Sequence, residues 1–142
     1  PVPPPPPRPL RPHARTARTA DALAQATALR ARGEVAQALA ALDKLGLDDV
    51  YGAQVALLTG LCLRDQGRLP EAIAVLLRGV NMPAASESDL SELFYALGES
   101  QALAHDPKEA ILFFQLSQGA TGSFRDAQTH IDALQRVLRA AS

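Results

Sequence analysis

The sequence repeats one short pattern three times, and this repetition limits the fold more than any other feature of the chain. The three segments are GEVAQALAALDKL from residue 33, GRLPEAIAVLLRG from residue 67 and HDPKEAILFFQLS from residue 105. Each starts at a turn position, passes through polar residues and reaches an alanine followed by apolar residues. Aligned on Ala38, Ala72 and Ala110, the segments recur at a nearly constant interval, slightly longer the second time. An interval of about 34 residues is typical of a repeat built from two helices.

Small residues recur before each central alanine, as the close crossing of two antiparallel helices requires. Twelve residues before it stand Ala26, Gly60 and Gly98, and ten residues before it stand Ala28, Cys62 and Ser100. The predicted turn between the helices, five residues before the alanine, holds Gly33, Gly67 and His105. Large apolar residues follow four positions after it, at Leu42, Leu76 and Phe114. The pattern therefore predicts helical hairpins that pack side by side.

The apolar content comes mainly from Ala and Leu, which are strong helix formers, and no run alternates with the two-residue period of a strand. We predict an all-α protein with helices over 19–31, 34–45, 49–66, 70–79, 88–104, 107–118 and 123–140. Pro70 and Pro107 fall in first turns, where a missing N–H costs nothing. Caps are expected from Asp48 or Asp49 and from Ser86 or Ser88.

The last predicted helix places its apolar residues on one stripe, which suits a helix that covers the end of a stack of repeats. These residues are Phe124, Ala127, Ile131, Leu134 and Leu138. No second half of the repeat pattern follows them.

Residues 1–18 form a separate Pro/Arg-rich arm, PVPPPPPRPLRPHARTAR. Consecutive prolines favour polyproline II and exclude a helix interior, so we expect an extended linker, with the helical domain at 19–142. The stretch from Pro6 to Arg11 also fits a P-x-x-P-x-R pattern that SH3 domains bind. A third alternative is contact between the four arginines of the arm and an acidic surface.

The whole pattern resembles the tetratricopeptide repeat (TPR) family, with repeats at 19–52, 53–86 and 91–122. The resemblance implies a right-handed α-solenoid of three antiparallel helix pairs plus a capping helix. A non-repeating helical bundle is the structural alternative.

The resemblance also implies a concave groove lined by the first helix of each pair. Carried onto this sequence, the groove positions are Leu23, Thr27, Arg30, Gln54, Leu57, Leu61, Arg64, Glu92, Tyr95 and Glu99. The middle would be apolar, Arg30 and Arg64 would lie at one edge, and Glu92 and Glu99 would lie at the other. Tyr95 is the expected anchor for a partner. The alternative is that Leu57, Leu61 and Tyr95 are ordinary core residues.

Some TPR members hold a peptide carboxylate with a clamp that includes Lys and Asn. The corresponding positions here are Leu23 and Thr27, so we do not expect a carboxylate clamp. The groove is instead suited to an amphipathic helix or an extended apolar segment with mixed charges.

Chemical motifs are missing from the sequence. It has no H-E-x-x-H, no Gly-rich phosphate loop and a single cysteine, Cys62, which is expected to pack in the core. Of the three histidines, His13 lies in the arm, His105 at a turn and His130 on the last helix. We therefore predict no enzyme activity, no cofactor and no metal site. An enzyme or a small-molecule regulatory domain is the least favoured alternative.

The net charge is −1 overall, and because the arm holds four arginines and no acid, the remaining chain carries −5. This balance does not favour nucleic acid as a partner, and no stretch is long and apolar enough for membrane insertion. We predict a protein-interaction module, part of a larger bacterial scaffold or regulatory protein. The alternative is a structural domain that self-associates through the same apolar surfaces.

The expected location is the cytoplasm. The sequence begins with Pro1 rather than Met, as expected of a piece of a longer protein, so a periplasmic location stays open.

Overall fold

The computed structural model describes residues 2–7, 12–45 and 50–142. The α-helices within these residues are α1 (Pro12–Ala31), α2 (Val35–Asp43), α3 (Gly52–Asp65), α4 (Leu69–Val80), α5 (Glu87–Leu103), α6 (Pro107–Gln118) and α7 (Ala127–Ala141). A short 3-10 turn at Gly119–Thr121 follows α6. No strand occurs in the part of the chain that the structure describes. The predicted all-α class is confirmed, and the molecule is an α-solenoid of helix pairs α1–α2, α3–α4 and α5–α6 with α7 packed against α6.

The predicted close crossings within the helix pairs are confirmed at the second and third pairs. A Cβ atom built on Gly60 would lie 2.5 Å from Leu76 Cδ2, and one built on Gly98 would lie 2.9 Å from the Phe114 ring. In both pairs the glycine faces the large residue 16 positions later, so the same two repeat positions meet each time. The three central alanines, Ala38, Ala72 and Ala110, are fully buried.

Ala28 is the exception among the small residues, because it is exposed whereas Cys62 and Ser100 are buried. Cys62 packs into the apolar cluster of the preceding pair, with Ala26 and Leu42 among its neighbours. The helix α1 has no preceding pair in the described chain, so its corresponding residue has nothing to pack against.

The turns between paired helices share one backbone conformation. Gly33, Gly67 and His105 have φ of 81°, 78° and 61°, in the left-handed region that glycine enters most easily. The predicted turn position is therefore confirmed in all three repeats, and His105 is exposed there. Helix starts also agree with the sequence. Pro70 lies in the first turn of α4, α6 begins at Pro107, and Ser86 and Asp89 form a capping box at α5.

The first helix begins at Pro12, so the predicted start at residue 19 is wrong. Residues 13–18 contain no proline, and Pro12 itself occupies the first helical position, where proline is well tolerated. Residues 2–7 are exposed and lie outside helices. The expected P-x-x-P-x-R pattern extends into residues 8–11, and the expected caps Asp48 and Asp49 fall within 46–49; both stretches lie outside the described residues. The arm's roles stay predictions.

The last helix begins at Ala127 instead of residue 123. Arg125 has φ of 47°, which turns the chain out of the helical path, so the four residues before Ala127 are not helical. Phe124 still packs on the last apolar cluster, with Ala127 and Ile131. The predicted covering role of the helix is supported by this cluster, although Phe124 reaches it from outside the helix.

Candidate functional site

The first helices of the pairs, α1, α3 and α5, stand in a row, and side chains 35 residues apart connect them. Arg30 Nε lies 2.7 Å from Asp65 Oδ2, Gln54 Nε2 donates to Asp89 Oδ1 at 3.0 Å, and Arg64 Nη1 lies 2.7 Å from Glu99 Oε1. These bonds join neighbouring first helices, α1 to α3 once and α3 to α5 twice. The face that carries these bonds is the one on which the groove was predicted.

An apolar groove of about 380 Å³ lies between α1 and α3 on this face. Five of the predicted groove residues line it, together with four neighbours: Leu23, Thr27, Gln54, Leu57 and Leu61, with Ala20, Ala24, Tyr51 and Leu58. Thr27 Oγ1 donates to the Leu23 carbonyl oxygen at 2.8 Å, so its hydroxyl is used within α1. The wall is therefore mostly apolar, and its other polar groups belong to Gln54 and Tyr51. We call this site the α1–α3 groove.

The predicted charged edges are not free to meet a partner. Arg30 and Arg64 each bind an acid on the next helix in the row, as described above, and Glu92 Oε1 accepts from Arg125 Nη2 at 2.6 Å. The prediction of positive and negative opposite edges is wrong, because Arg30 and Arg64 pair with acids on the next first helix and Glu92 pairs with Arg125. The site consequently offers apolar surface between ion pairs.

Tyr95 does not line the groove as an open anchor, because it is only 8% exposed. Its ring packs edge-on against Phe114 and Phe124, at centroid distances of 5.4 and 5.8 Å. The alternative interpretation, that Tyr95 is a core residue, is the correct one. For the same reason, Tyr95 offers no exposed ring through which two copies of the chain could associate. Leu57 and Leu61 are partly buried and border the groove.

The hydroxyl of Tyr95 belongs to a polar cluster that sequence reasoning missed. It donates to Asp126 Oδ1 and lies 3.3 Å from His130 Nε2, which is itself 3.3 Å from Asp126 Oδ2. The His130 ring stacks on Phe114 with centroids 4.9 Å apart. The spacing of Asp126 and His130, four residues apart, was a signal in the sequence that could have indicated their contact.

The electrostatics of this cluster follow from burial and from the hydrogen bond. Burial, followed by the bond to Asp126, raises the pKa of Tyr95 far above its ordinary value. The same bond lowers the pKa of Asp126. A phenol that is so hard to ionise is a structural hydrogen-bond donor, and the bond attaches the start of α7 to α5.

Cys62 is fully buried, as predicted, and burial raises the pKa of its thiol. Such a thiol packs as a small apolar side chain. In the part of the chain that the structure describes, no three His, Cys, Asp or Glu side chains gather where they could hold a metal ion. None of the described helices is both long enough and apolar enough to cross a bilayer.

None of the models of known protein families matches this chain, and neither does any curated protein sequence. Its fold is similar to that of the type III secretion chaperone SycD from Yersinia enterocolitica, whose crystal structure contains a peptide of the translocator YopD. The TM-score is 0.69 at 16% sequence identity, and the match covers 82% of this chain and 92% of SycD. The two chains share one fold. At this identity the likeness extends to the arrangement of the helices only.

Proposed function

We propose that this chain is a non-catalytic protein-interaction module of the TPR type that binds an apolar segment of a partner protein in the α1–α3 groove. The observation that carries the proposal is the groove itself, an apolar surface between Leu23, Leu57 and Leu61 that no described side chain fills. A surface of this kind on a helical repeat favours a polypeptide partner. SycD, which has the same fold, was solved with a peptide bound.

The charges around the groove support the same kind of partner. Arg30 is paired with Asp65, and Arg64 with Glu99, so a partner gains little from a terminal carboxylate or from a run of acids. We expect the bound segment to contribute apolar side chains at its centre. The proposed setting is a larger bacterial scaffold or regulatory assembly in the cytoplasm.

Ala24 provides a sharp test of the groove because it is exposed, lines the groove and can be changed without disturbing the core. Ala28 is a matched control, because it is also an exposed alanine on α1 but is not part of the groove lining. Ala24→Glu would place a carboxylate against the apolar partner, whereas Ala28→Glu would place the same charge outside the site.

The experiment selects peptides from a random display library on the unmodified chain and then measures their affinity by fluorescence anisotropy. We expect the selected peptides to be rich in apolar residues and to lose about tenfold or more in affinity for Ala24→Glu. Their affinity for Ala28→Glu should be unchanged. Circular dichroism checks that both variants keep their helices. Equal binding to all three proteins would exclude the α1–α3 groove as the site.

A further inference from the structure

Tyr95 stands on the stripe of α5 that continues the proposed binding face, although it is covered. Glu92, Tyr95 and Glu99 are three and four residues apart, so they lie on one side of α5. Glu99 also borders a second pocket of about 440 Å³, which is lined by Arg64, Ala102, Leu103, Phe114 and His130. Leu103 is 55% exposed there. Apolar surface is therefore present beyond the α1–α3 groove, near the covered tyrosine.

The cover consists of residues 123–126, which we call the strap. The guanidinium of Arg125 lies 5.3 Å from the centroid of the Tyr95 ring, over its face, and also binds Glu92. Phe124 packs against the edge of Tyr95, and Asp126 accepts the tyrosine hydroxyl. Phe124 and Arg125 of the strap thus cover the Tyr95 side chain.

Several contacts that hold the strap lie at the protein surface. Arg125 and Asp126 are exposed, and Phe124 is only half-buried. Arg125 also has a positive φ of 47°, which is strained for a residue with a side chain. Exposed ion pairs are weak and are screened by salt. The closed arrangement is therefore held by one side-chain hydrogen bond to Tyr95, one exposed ion pair, the cation over the Tyr95 ring and a partly buried aromatic ring.

We propose that the strap is a displaceable cover that occupies a second partner-binding site as an internal substitute for the partner. When the strap lifts, Tyr95 and Glu92 become available together, and the binding face extends from the α1–α3 groove towards α7. The side chains that the strap inserts define the partner chemistry: an aromatic residue next to a basic one, with the cation over the Tyr95 ring and against Glu92. The partner part of this inference rests on the proposed function, whereas the lifting of the strap does not.

Lifting can be measured without any partner by amide hydrogen exchange of the whole chain, followed by mass spectrometry. We expect residues 123–131 to exchange through a local opening, faster than the amides of α3 and α5. Glu92→Gln removes the ion pair of Arg125 and should speed this exchange about threefold. Glu99→Gln is the matched control, because it removes an ion pair from the same stripe of α5 without touching the strap, and it should leave residues 123–131 unchanged.

The partner chemistry is tested with the synthetic peptide acetyl-Gly-Ser-Phe-Arg-Asp-amide and two-dimensional NMR. The variant Phe124→Ala/Arg125→Ala empties the site, and at millimolar peptide we expect shifts at Glu92 and Tyr95 that disappear in about 1 M salt. The same peptide with Arg replaced by Glu should cause none. If the double variant does not fold, Arg125→Ala alone serves, because it frees Glu92 and the face of the Tyr95 ring.

Two results would overturn the inference. If residues 123–131 exchange their amides only at the rate of global unfolding, the strap does not lift. If the peptide causes no NMR shifts in the folded variant, the proposed partner chemistry is wrong. Either result leaves the Ala24→Glu test of the α1–α3 groove unaffected, so the two proposals can fail separately.

Discussion

The space between α1 and α3, here called the open interval, and the space between α5 and α7, called the filled interval, each lie beside the first helix of a helix pair, yet only the first forms a groove. Alanine and leucine side chains, such as Ala24 and Leu57, make up most of the border of the first interval, with Tyr51 as the aromatic residue among them, and they leave a groove. Aromatic side chains fill the second, where Tyr95, Phe114 and Phe124 pack edge-on and His130 stacks on Phe114. One helical framework can thus form either a site or a core, according to the size of a few side chains.

The largest expected loss of stability comes from removing an aromatic ring from the filled interval between α5 and α7. Phe114 is buried to 1% exposure and contacts Tyr95 and His130. Phe114→Ala should lower the free energy of unfolding by about 3–5 kcal/mol, because it removes a buried ring and leaves a cavity. Urea denaturation measures the loss. Leu112→Ala on the same helix, where the side chain is 46% exposed, should change stability much less. Equal losses would mean that the aromatic cluster is not the core of this region.

Removing the tyrosine hydroxyl tests whether the filled interval depends on its polar contacts. Tyr95→Phe keeps the ring but removes the bond to Asp126, so we expect a lower unfolding midpoint at neutral pH, with a smaller loss than for Phe114→Ala. Urea denaturation over a range of pH measures the difference in the free energy of unfolding between Tyr95→Phe and the unmodified chain. This difference should depend on the ionisation of both Asp126 and Tyr95.

The pKa of Asp126 is lowered in the folded state. Its contribution to the free energy of unfolding is therefore present when the pH is above the ordinary pKa of 3.8, and it is lost as the pH falls through the folded-state pKa. The pKa of Tyr95 is raised, so its contribution is present below the ordinary value of 10.0 and is lost as the pH rises towards the folded-state value. The difference in the free energy of unfolding between Tyr95→Phe and the unmodified chain should therefore become smaller in acid and again in alkali. A difference that stays constant across this range would argue that the hydroxyl stabilises the fold in another way.

The two intervals also differ in how far the sequence could predict them. The repeat period, the central alanines and the left-handed turns depend on local spacing, so they were predictable. The burial of Tyr95 was not, because it depends on Phe124 and Arg125, which reach α5 through a non-helical turn after α6. The pairing of Arg64 with Glu99 depends on how successive repeats are aligned in space. A single repeat pattern does not specify that alignment.

The turns between paired helices allow a matched comparison of the second and third helix pairs. Gly67 and His105 occupy the same left-handed position in the second and third pairs. His105→Gly should raise the free energy of unfolding by about 1 kcal/mol, because glycine has no side chain to oppose a positive φ. Gly67→Ala should lower it by a similar amount. Thermal unfolding measures both, and effects of the same sign at the two positions would contradict a shared turn geometry.

The smallest effect is expected at the boundary between the open and filled regions, where Arg64 on α3 binds Glu99 on α5. Their side chains are 16% and 33% exposed, so solvent screens the pair only in part. A double-mutant cycle with Arg64→Met and Glu99→Gln should give a coupling of about 0.5–1 kcal/mol, which falls in about 1 M salt. Arg68 and Glu71 are more exposed and only three residues apart, so this pair should show no measurable coupling. If both cycles gave the same value, the bonds between successive first helices would contribute no more than ordinary surface pairs. The open and filled intervals would then be joined by apolar packing alone.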